Sequence, residues 1–352
     1  MNEVNVYKMW YYLLRINSSA KITIIEEFKD EEVIYNNIEY ILHIKNIRCN
    51  NLNKINQLEK AKSIIELINR NKINFLTYTD EGYPKLLRYT VDAPYALFYK
   101  GRKELLSTRI VAIIGSRKSS VYGSEITKLL TKELISYNIT IISGGARGID
   151  TVAHRSTLNN SGNTIVVLGC GIDVAYPKEN KKLFEEVIEK GILVSEFLPG
   201  TPPEKYNFPI RNRIISGMSE LVIVVEAAER SGTLITVDYA LEQGREVMAV
   251  PGMVIGGGST GCLNLIKEGA HMFTGVEDLR FVLGLEEKKS SDNNLSDIEN
   301  RILDIIDSEP AHIDKISRNS LVDRKALYKV LFEMQKKNII VSLPGNYYAK
   351  II

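Results

Sequence analysis

Short runs of apolar residues alternate, through the middle of the chain, with longer segments whose apolar residues recur every three or four positions. The runs are rich in β-branched side chains, which favours strands buried on both faces of a sheet. They predict strands at Ile110–Ile114, Ile139–Ile142, Thr164–Leu168, Ile192–Ser195, Leu221–Val225, Glu246–Val250 and His271–Phe273. The segments between them predict helices at Ser124–Tyr137, Lys181–Lys190, Thr233–Gln243 and Leu263–Glu268. Alternation of this kind predicts an α/β domain with a doubly wound, mostly parallel sheet.

The regions that flank this core have different patterns. Residues 1–70 lack glycine and show helical spacing, for example in Met9–Leu14, so they predict a small helical domain. The aromatic, turn-rich stretch 75–101 is expected to be an irregular extension packed on the sheet, within a domain that covers 71–285. Residues 286–296 are charged and rich in Ser and Asn, which indicates a linker.

Residues 297–352 predict three helices and a two-stranded wing, the plan of a winged helix. The helices are expected at 298–307, 313–318 and 324–337, and the wing turns at Pro344-Gly345. Nine Lys and Arg residues against eight Asp and Glu residues give this region little positive charge for DNA, so a protein-contact role is at least as well supported.

Composition excludes several classes of protein. With 45 Lys and Arg against 43 Asp and Glu among 352 residues, the net charge is only +2, so an anion site must come from local clustering. Cys49, Cys170 and Cys262 are far apart and lack metal-ligand spacing, which predicts reduced thiols in the cytoplasm and no bound metal. No apolar run approaches the ~20 residues of a membrane span, and the N-terminus is a poor signal peptide.

Glycines, hydroxyls and arginines follow nearly every predicted strand, at the sheet edge where parallel α/β proteins bind ligands. The stretch Ser143–Gly148 joins a strand to a helix through a glycine turn, which suits an anion. There is no Walker lysine and no third glycine of a dinucleotide fingerprint, so no nucleotide cofactor is expected. Guanidinium groups that can grip phosphate are spread along the edge, at Arg117, Arg147, Arg211 and Arg213.

Several polar and aromatic residues near this edge have two interpretations. Tyr176 and Phe208 can stack on bases or can close the end of the sheet. His154 can face the site, although a packed helix histidine is the commoner case. Asp150 and Glu226 more often hold arginines or cap helices than act as acids or bases.

In order along residues 75–280, the motifs VAIIGSR, SGGARGID, GCGIDVAYPKEN, FPIRNRIISG, VVEAAERSGTLIT and GGGSTGCLNLIKEGA resemble those of the DNA-processing protein A family (DprA, also called Smf). The resemblance implies an extended Rossmann-like domain that binds single-stranded DNA without sequence specificity and dimerises. It also implies protection of incoming DNA and loading of the recombinase RecA for homologous recombination in natural transformation, without catalysis or a cofactor. A SAM-like N-terminal domain and a C-terminal winged helix are implied as well.

Residue roles follow from the same resemblance. It implies DNA contacts along one groove by Ser116, Arg117, Gly144, Gly145, Arg147, Lys178, Asn180, Arg211, Asn212 and Arg213. It places self-association near Leu263, Ile266 and Met272. Two other classes stay open: a Rossmann-like nucleotide N-glycosidase, which Met253 disfavours because it stands where that enzyme's loop needs glycine, and a protein-interaction scaffold.

Overall fold

A computed structural model describes residues 5–49, 52–286, 296–307, 309–337 and 339–351. The chain forms two compact units: Met1–Thr274 with Phe281–Leu283, and Gly275–Arg280 with Gly284–Ile352. Most of the predicted linker, residues 287–295, lies outside the described residues.

The first unit is organised around a mixed sheet, which within the described residues has nine strands. In chain order they are β1 (Asn74–Thr77), β2 (Ala96–Gly101), β3 (Ile110–Ile114), β4 (Thr140–Ser143), β5 (Thr164–Leu168), β6 (Ile192–Ser195), β7 (Leu221–Val224), β8 (Glu246–Ala249) and β9 (His271–Met272). Their order in space is β1-β2-β6-β5-β4-β3-β7-β8-β9. Strands β3 to β9 are all parallel, which confirms the predicted α/β class.

Helices precede, separate and follow these strands along the chain. They are α1 (Val6–Leu13), α2 (Ser18–Phe28), α3 (Glu31–Ile44), α4 (Lys54–Arg70), α5 (Lys85–Arg88), α6 (Val121–Ser136), α7 (Ile149–Asn159), α8 (Lys181–Lys190), α9 (Asn207–Gly217), α10 (Gly232–Glu242), α11 (Thr260–Lys267) and α12 (Val276–Leu283). None of the helices in the described part of the chain is long and apolar enough to cross a lipid bilayer.

Two segments differ from the prediction. The stretch 75–101 is not an irregular extension, because β1 and β2 pair antiparallel and β2 continues the sheet beside β6. Ala96, Leu97 and Phe98 of β2 are fully buried, which explains why the segment joins the core. The stretch 207–213, which is not among the predicted helices, forms the first turns of α9, where Pro209 is tolerated because first-turn N–H groups need no helical partner.

Helices α1–α4 share a core with the antiparallel end of the sheet. The Tyr11 ring packs edge-on against Tyr95 with centroids 4.8 Å apart, and Tyr12 packs against Phe98 at 5.4 Å. The Tyr95 hydroxyl donates to Glu31 at 2.7 Å. The N-terminal helices are therefore held by aromatic packing against strand β2 and against Tyr95, which directly precedes it.

The second unit contains α13 (Asp297–Ile306), β10 (Ala311–His312), α14 (Ile313–Ser320), α15 (Arg324–Lys336), β11 (Ile340–Leu343) and β12 (Tyr347–Lys350). Helix α13 begins with a capping box, in which Ser296 and Glu299 satisfy each other's backbone N–H groups. The strands form a sheet in the order β10-β12-β11, and β10 has no counterpart in the sequence prediction. The assignment of this unit as a winged helix stays a prediction.

Candidate nucleic-acid interface

A cleft of about 760 Å³ lies where the strand order reverses, with β4 on one side of β3 and β7 on the other. Such a switch point is where open α/β sheets bind ligands. The cleft is lined from successive strand ends by Gly115, Ser116 and Arg117 after β3, Ala146 and Asp150 after β4, Tyr176 after β5, Ser231 and Thr233 after β7, and Gly258 after β8. Helix α9 closes it with Phe208, Arg211 and Asn212.

The loops after β3 and β4 are packed directly on one another. The Ile149 backbone N–H, at the start of α7, donates to the Ser116 carbonyl at 3.1 Å. Gly148 has φ +73°, and a Cβ at this position would lie 2.2 Å from the Ser116 carbonyl oxygen. Because only glycine allows this approach, Gly148 fixes the position of Ser116 and Arg117 at the cleft.

Arg117 presents an exposed cation beside two aromatic rings. Its guanidinium carbon lies 5.9 Å from the centroid of the Phe208 ring, and that ring lies 5.5 Å from Tyr176. Arg117 is exposed and forms no ion pair within the described ranges, and Tyr176 is 41% exposed. A cation and a pair of accessible rings at one cleft suit a phosphate and neighbouring bases.

Two further cations stand at the adjoining strand ends. Arg147, after β4, is exposed and pairs with the exposed Glu179. That carboxylate's pKa is held below its usual range by a backbone hydrogen bond and by Arg147. Lys178, after β5, is exposed and makes no ion pair in the part of the chain that is described. The exposed Arg147–Glu179 pair is weakly held, and Lys178 has no ion pair to break among the described residues. Both side chains can therefore turn toward an incoming anion.

Arg211 is buried and joins two strand ends. Its guanidinium donates to the Gly144 carbonyl at 2.6 Å and to the Val167 carbonyl, and burial lowers its pKa to about 10. A Cβ on Gly144 would lie 2.5 Å from this group, so a side chain at this position would displace the guanidinium. The nearby Asp150 carboxyl accepts from the Ala146 N–H at 3.2 Å, and its burial raises its pKa.

Arg213 and Asn180 point into the protein. Arg213 donates to both carboxylate oxygens of Glu196 at 2.6 Å and to the Asp92 carbonyl. Asn180 donates to the Gly145 carbonyl at 3.0 Å and to the Thr151 hydroxyl at 2.8 Å. Their partners are inside the protein, because the strand ends bring Glu196 and the glycine loop beside them.

The structure thus brings some predicted site residues together and separates others. Ser116, Arg117, Arg211 and Asn212 line the main cleft, while Gly144 and Arg147 line a smaller adjoining pocket that Arg117 and Arg211 also reach. Gly145, Lys178, Asn180 and Arg213 line neither, although Lys178 is exposed at the edge. The sequence prediction missed Lys205, Ser231 and Thr233, which line the cleft. Ser231 and Thr233 lie where the loop after β7 enters α10, and Lys205 lies two residues before α9.

Neither a metal site nor a catalytic histidine stands out among the described residues. No three His, Cys, Asp or Glu side chains within them are close enough to hold a metal ion. His154 is buried, its Nδ1 lies 2.7 Å from the Thr164 hydroxyl, and burial lowers its pKa to about 3. A neutral, packed histidine is therefore the correct interpretation of the two.

Comparison with known proteins gives this geometry a context. The family model for DNA recombination-mediator protein A matches residues 74–283. DNA processing protein DprA of Streptococcus pneumoniae is 46% identical over 200 residues, which cover 57% of this chain and 71% of that protein. The solved structure of that species' DprA superposes with TM-score 0.68 at 36% identity, covering 81% of this chain and 100% of the other.

A second solved structure concerns the single-stranded DNA binding mode of DNA processing protein A from Helicobacter pylori. It superposes with TM-score 0.55 at 29% identity and covers 60% of this chain and 95% of that one. The family model spans more than half of the 352 residues, including every strand of the parallel sheet. The chain belongs to the DNA recombination-mediator protein A family.

Proposed function

We propose that this protein binds single-stranded DNA without sequence specificity at the switch-point cleft. The observation that carries the proposal is the exposed Arg117 guanidinium beside the rings of Phe208 and Tyr176. Stacking on aromatic rings requires an unpaired base with a free face, and every base has such a face. The proposed ligand is therefore single-stranded and of any sequence.

The relatives support a role in DNA processing. The names of the family and of the S. pneumoniae relative describe a recombination mediator and a DNA-processing protein, and the H. pylori structure concerns single-stranded DNA. Asp150, which lines the cleft, accepts from the Ala146 N–H, and Glu226, after β7, accepts from the Ser120 N–H at 3.0 Å. A binding role without catalysis accounts for both observations.

In this proposal, the exposed and the buried site residues have different roles. Arg117, Arg147 and Lys178 contact phosphates, because their charged groups are exposed. Ser116 and Asn212 line the cleft, and Gly144 lines the smaller adjoining pocket. Arg211, Arg213 and Asn180 hold the loops in place from beneath, through the carbonyl and carboxylate partners described above.

The proposal extends to two protein partners. A second copy docks near Leu263, Ile266 and Met272, supported by the 46% exposure of Met272 on the edge strand β9 and by the partly exposed α11 residues. The bound strand is protected and passed to the recombinase RecA for homologous recombination in natural transformation. The second unit, with its helices and hairpin in winged-helix order, is proposed to serve contacts rather than strand binding.

A strand-exchange assay tests this function. RecA is supplied with single-stranded DNA already coated by a single-strand binding protein, with and without this protein. We expect the wild-type chain to accelerate exchange and Arg117→Ala to lose the effect, because its phosphate contact is missing. Acceleration that is equal with Arg117→Ala would contradict the assigned site, and no acceleration by the wild type would contradict RecA loading.

A further inference from the structure

The cleft continues beyond the cations assigned to the strand. Arg117, Arg147 and Lys178 follow β3, β4 and β5, which lie on one side of the switch point. Ser231 after β7 and Gly258 after β8 line the same cleft on the other side. At ~4.8 Å between neighbouring strands, the distance from β5 to β8 is about 19 Å. A cleft of this length exceeds what one nucleotide needs and suits a polymer.

The loop after β8 carries three consecutive exposed apolar side chains, here called the apolar tip (Met253–Ile255). Met253, Val254 and Ile255 are 77%, 82% and 86% exposed. Glycines flank the tip on both sides, and residues 251–261 contain no charged side chain. Single exposed apolar residues are common, but three in succession beside a cleft indicate a contact surface.

Tyr122 connects this loop to the loop that carries Arg117. Its hydroxyl donates to the Pro251 carbonyl at 3.1 Å, which ties the first turn of α6 to the base of the β8 loop. Half of the Tyr122 side chain remains exposed. Lys118, four residues earlier, is exposed and has no ion pair among the residues that the structure describes. A cation, an aromatic ring and an apolar tip thus follow one another away from Arg117.

We infer that the β7–β8 side of the cleft is a second binding region for the same single strand, with a phosphate at Lys118 and bases against Tyr122 and the apolar tip. This inference rests on the proposed function. A strand that enters past Lys178 and crosses Arg117 leaves over this loop, because Gly258 of the loop forms the far wall of the cleft. Residues 251–261 carry no charge, which suits contact with the apolar faces of bases. The segment also has no carboxylate that would repel the phosphate backbone of the strand.

Binding to oligo-dT of graded length tests the inference. The full-length wild type is compared with the variant Met253→Ser/Val254→Ser/Ile255→Ser and with Tyr122→Ser, on oligonucleotides of about 4 to about 16 nucleotides. The control is Leu241→Ser, which removes a side chain that is 60% exposed near the C-terminal end of α10, at the opposite edge of the sheet. We expect both test variants to bind the shortest oligonucleotides like the wild type and the longest about tenfold more weakly. The control should match the wild type at every length.

A second measurement, tryptophan fluorescence, detects directly whether bases contact the apolar tip. Trp10 is fully buried and is the one tryptophan of the sequence, so Val254→Trp adds a fluorophore at the tip. Its emission, after subtraction of the wild-type signal, should be quenched by long oligo-dT and unchanged by short oligo-dT.

The outcomes separate the two proposals. If the wild type binds no oligo-dT of any length, the proposed function fails. If it binds but the tip variant retains full affinity at every length, or Val254→Trp is not quenched, this inference alone is overturned. Loss of self-association or of RecA contact with unchanged DNA affinity would make the tip a protein surface and would also overturn it.

Discussion

Burial divides the four arginines predicted to contact DNA into two pairs with different roles. Arg117 and Arg147 are exposed and hold charge that an incoming phosphate can reach. Arg211 and Arg213 are each only 5% exposed, and their N–H groups donate to carbonyls and a carboxylate of the protein. The first pair is suited to binding, and the second to holding the loops that present it.

Substituting one member of each pair should therefore give opposite results. Arg213→Ala leaves the Glu196 carboxylate largely buried without its partner, and we expect a loss of about 3 kcal/mol in the free energy of unfolding. Arg117→Ala should leave that free energy unchanged and weaken binding to oligo-dT. Urea denaturation and fluorescence anisotropy measure the two effects. Equal stability of Arg213→Ala and the wild type would show that the pair has no structural role.

Residue type alone could not distinguish these roles. An arginine in FPIRNR and an asparagine in YPKEN have the chemistry to bind phosphate, and the family resemblance implied both as contacts. Their internal partners are distant in sequence: Glu196 precedes Arg213 by 17 residues, and the Gly145 carbonyl lies 35 residues before Asn180. Only the packing of the strand ends brings them together.

At the scale of elements, the glycine turn after β4 acts by positioning its neighbour. Gly148 allows the Ser116 carbonyl to accept from the start of α7, so the turn and the loop after β3 form one rigid edge of the cleft. The glycine turn Ser143–Gly148, which by itself suggests an anion site, thus also supports the loop that carries Arg117.

Gly148→Ala tests this coupling, with Gly244→Ala as a matched control. Both glycines have positive φ, +73° and +66°, so alanine strains the backbone at either position, by at least about 1 kcal/mol. A Cβ at Gly148 also clashes with the Ser116 carbonyl, whereas at Gly244 no atom lies within 4 Å. We expect both variants to lose stability in thermal unfolding, but only Gly148→Ala to lose affinity for oligo-dT. Similar affinities for the two variants would contradict the positioning role.

Hydrophobic patterns predicted the parallel strands and the helices of the second unit well, but missed α9 and β2. The bounds of β3, β5, β6 and α8 are as expected, because continuous β-branched runs and a regular helical spacing leave little choice. Helix α9 was missed because it is buried on several sides, with Arg211 and Arg213 inside, and so lacks an amphipathic pattern. Strand β2 was missed because its pairing with β1 and β6 is decided by distant residues.

At the scale of the whole molecule, a nearly neutral chain carries a local cluster of positive charge. The net charge of +2 gives no long-range attraction to DNA. The doubly wound order places Arg117, Arg147 and Lys178 at neighbouring strand ends, although they are far apart in sequence. Pattern and composition predicted the sheet and proposed a binding edge at its strand ends, while the family and its proposed partners came from the resemblance of the ordered motifs.

The salt dependence of strand binding tests the central claim most directly. The dissociation constant for oligo-dT is measured over a range of salt concentrations for the wild type and for Arg117→Ala, with duplex DNA as competitor. The phosphate contacts of Arg117, Arg147 and Lys178 predict a slope of about −2 in the plot of log affinity against log salt, and the further contact inferred at Lys118 brings it to about −3 on long oligo-dT. Arg117→Ala should reduce the size of the slope by about 0.7. Duplex DNA should compete poorly. Affinity that does not change with salt, or equal binding of duplex and single strand, would contradict the account.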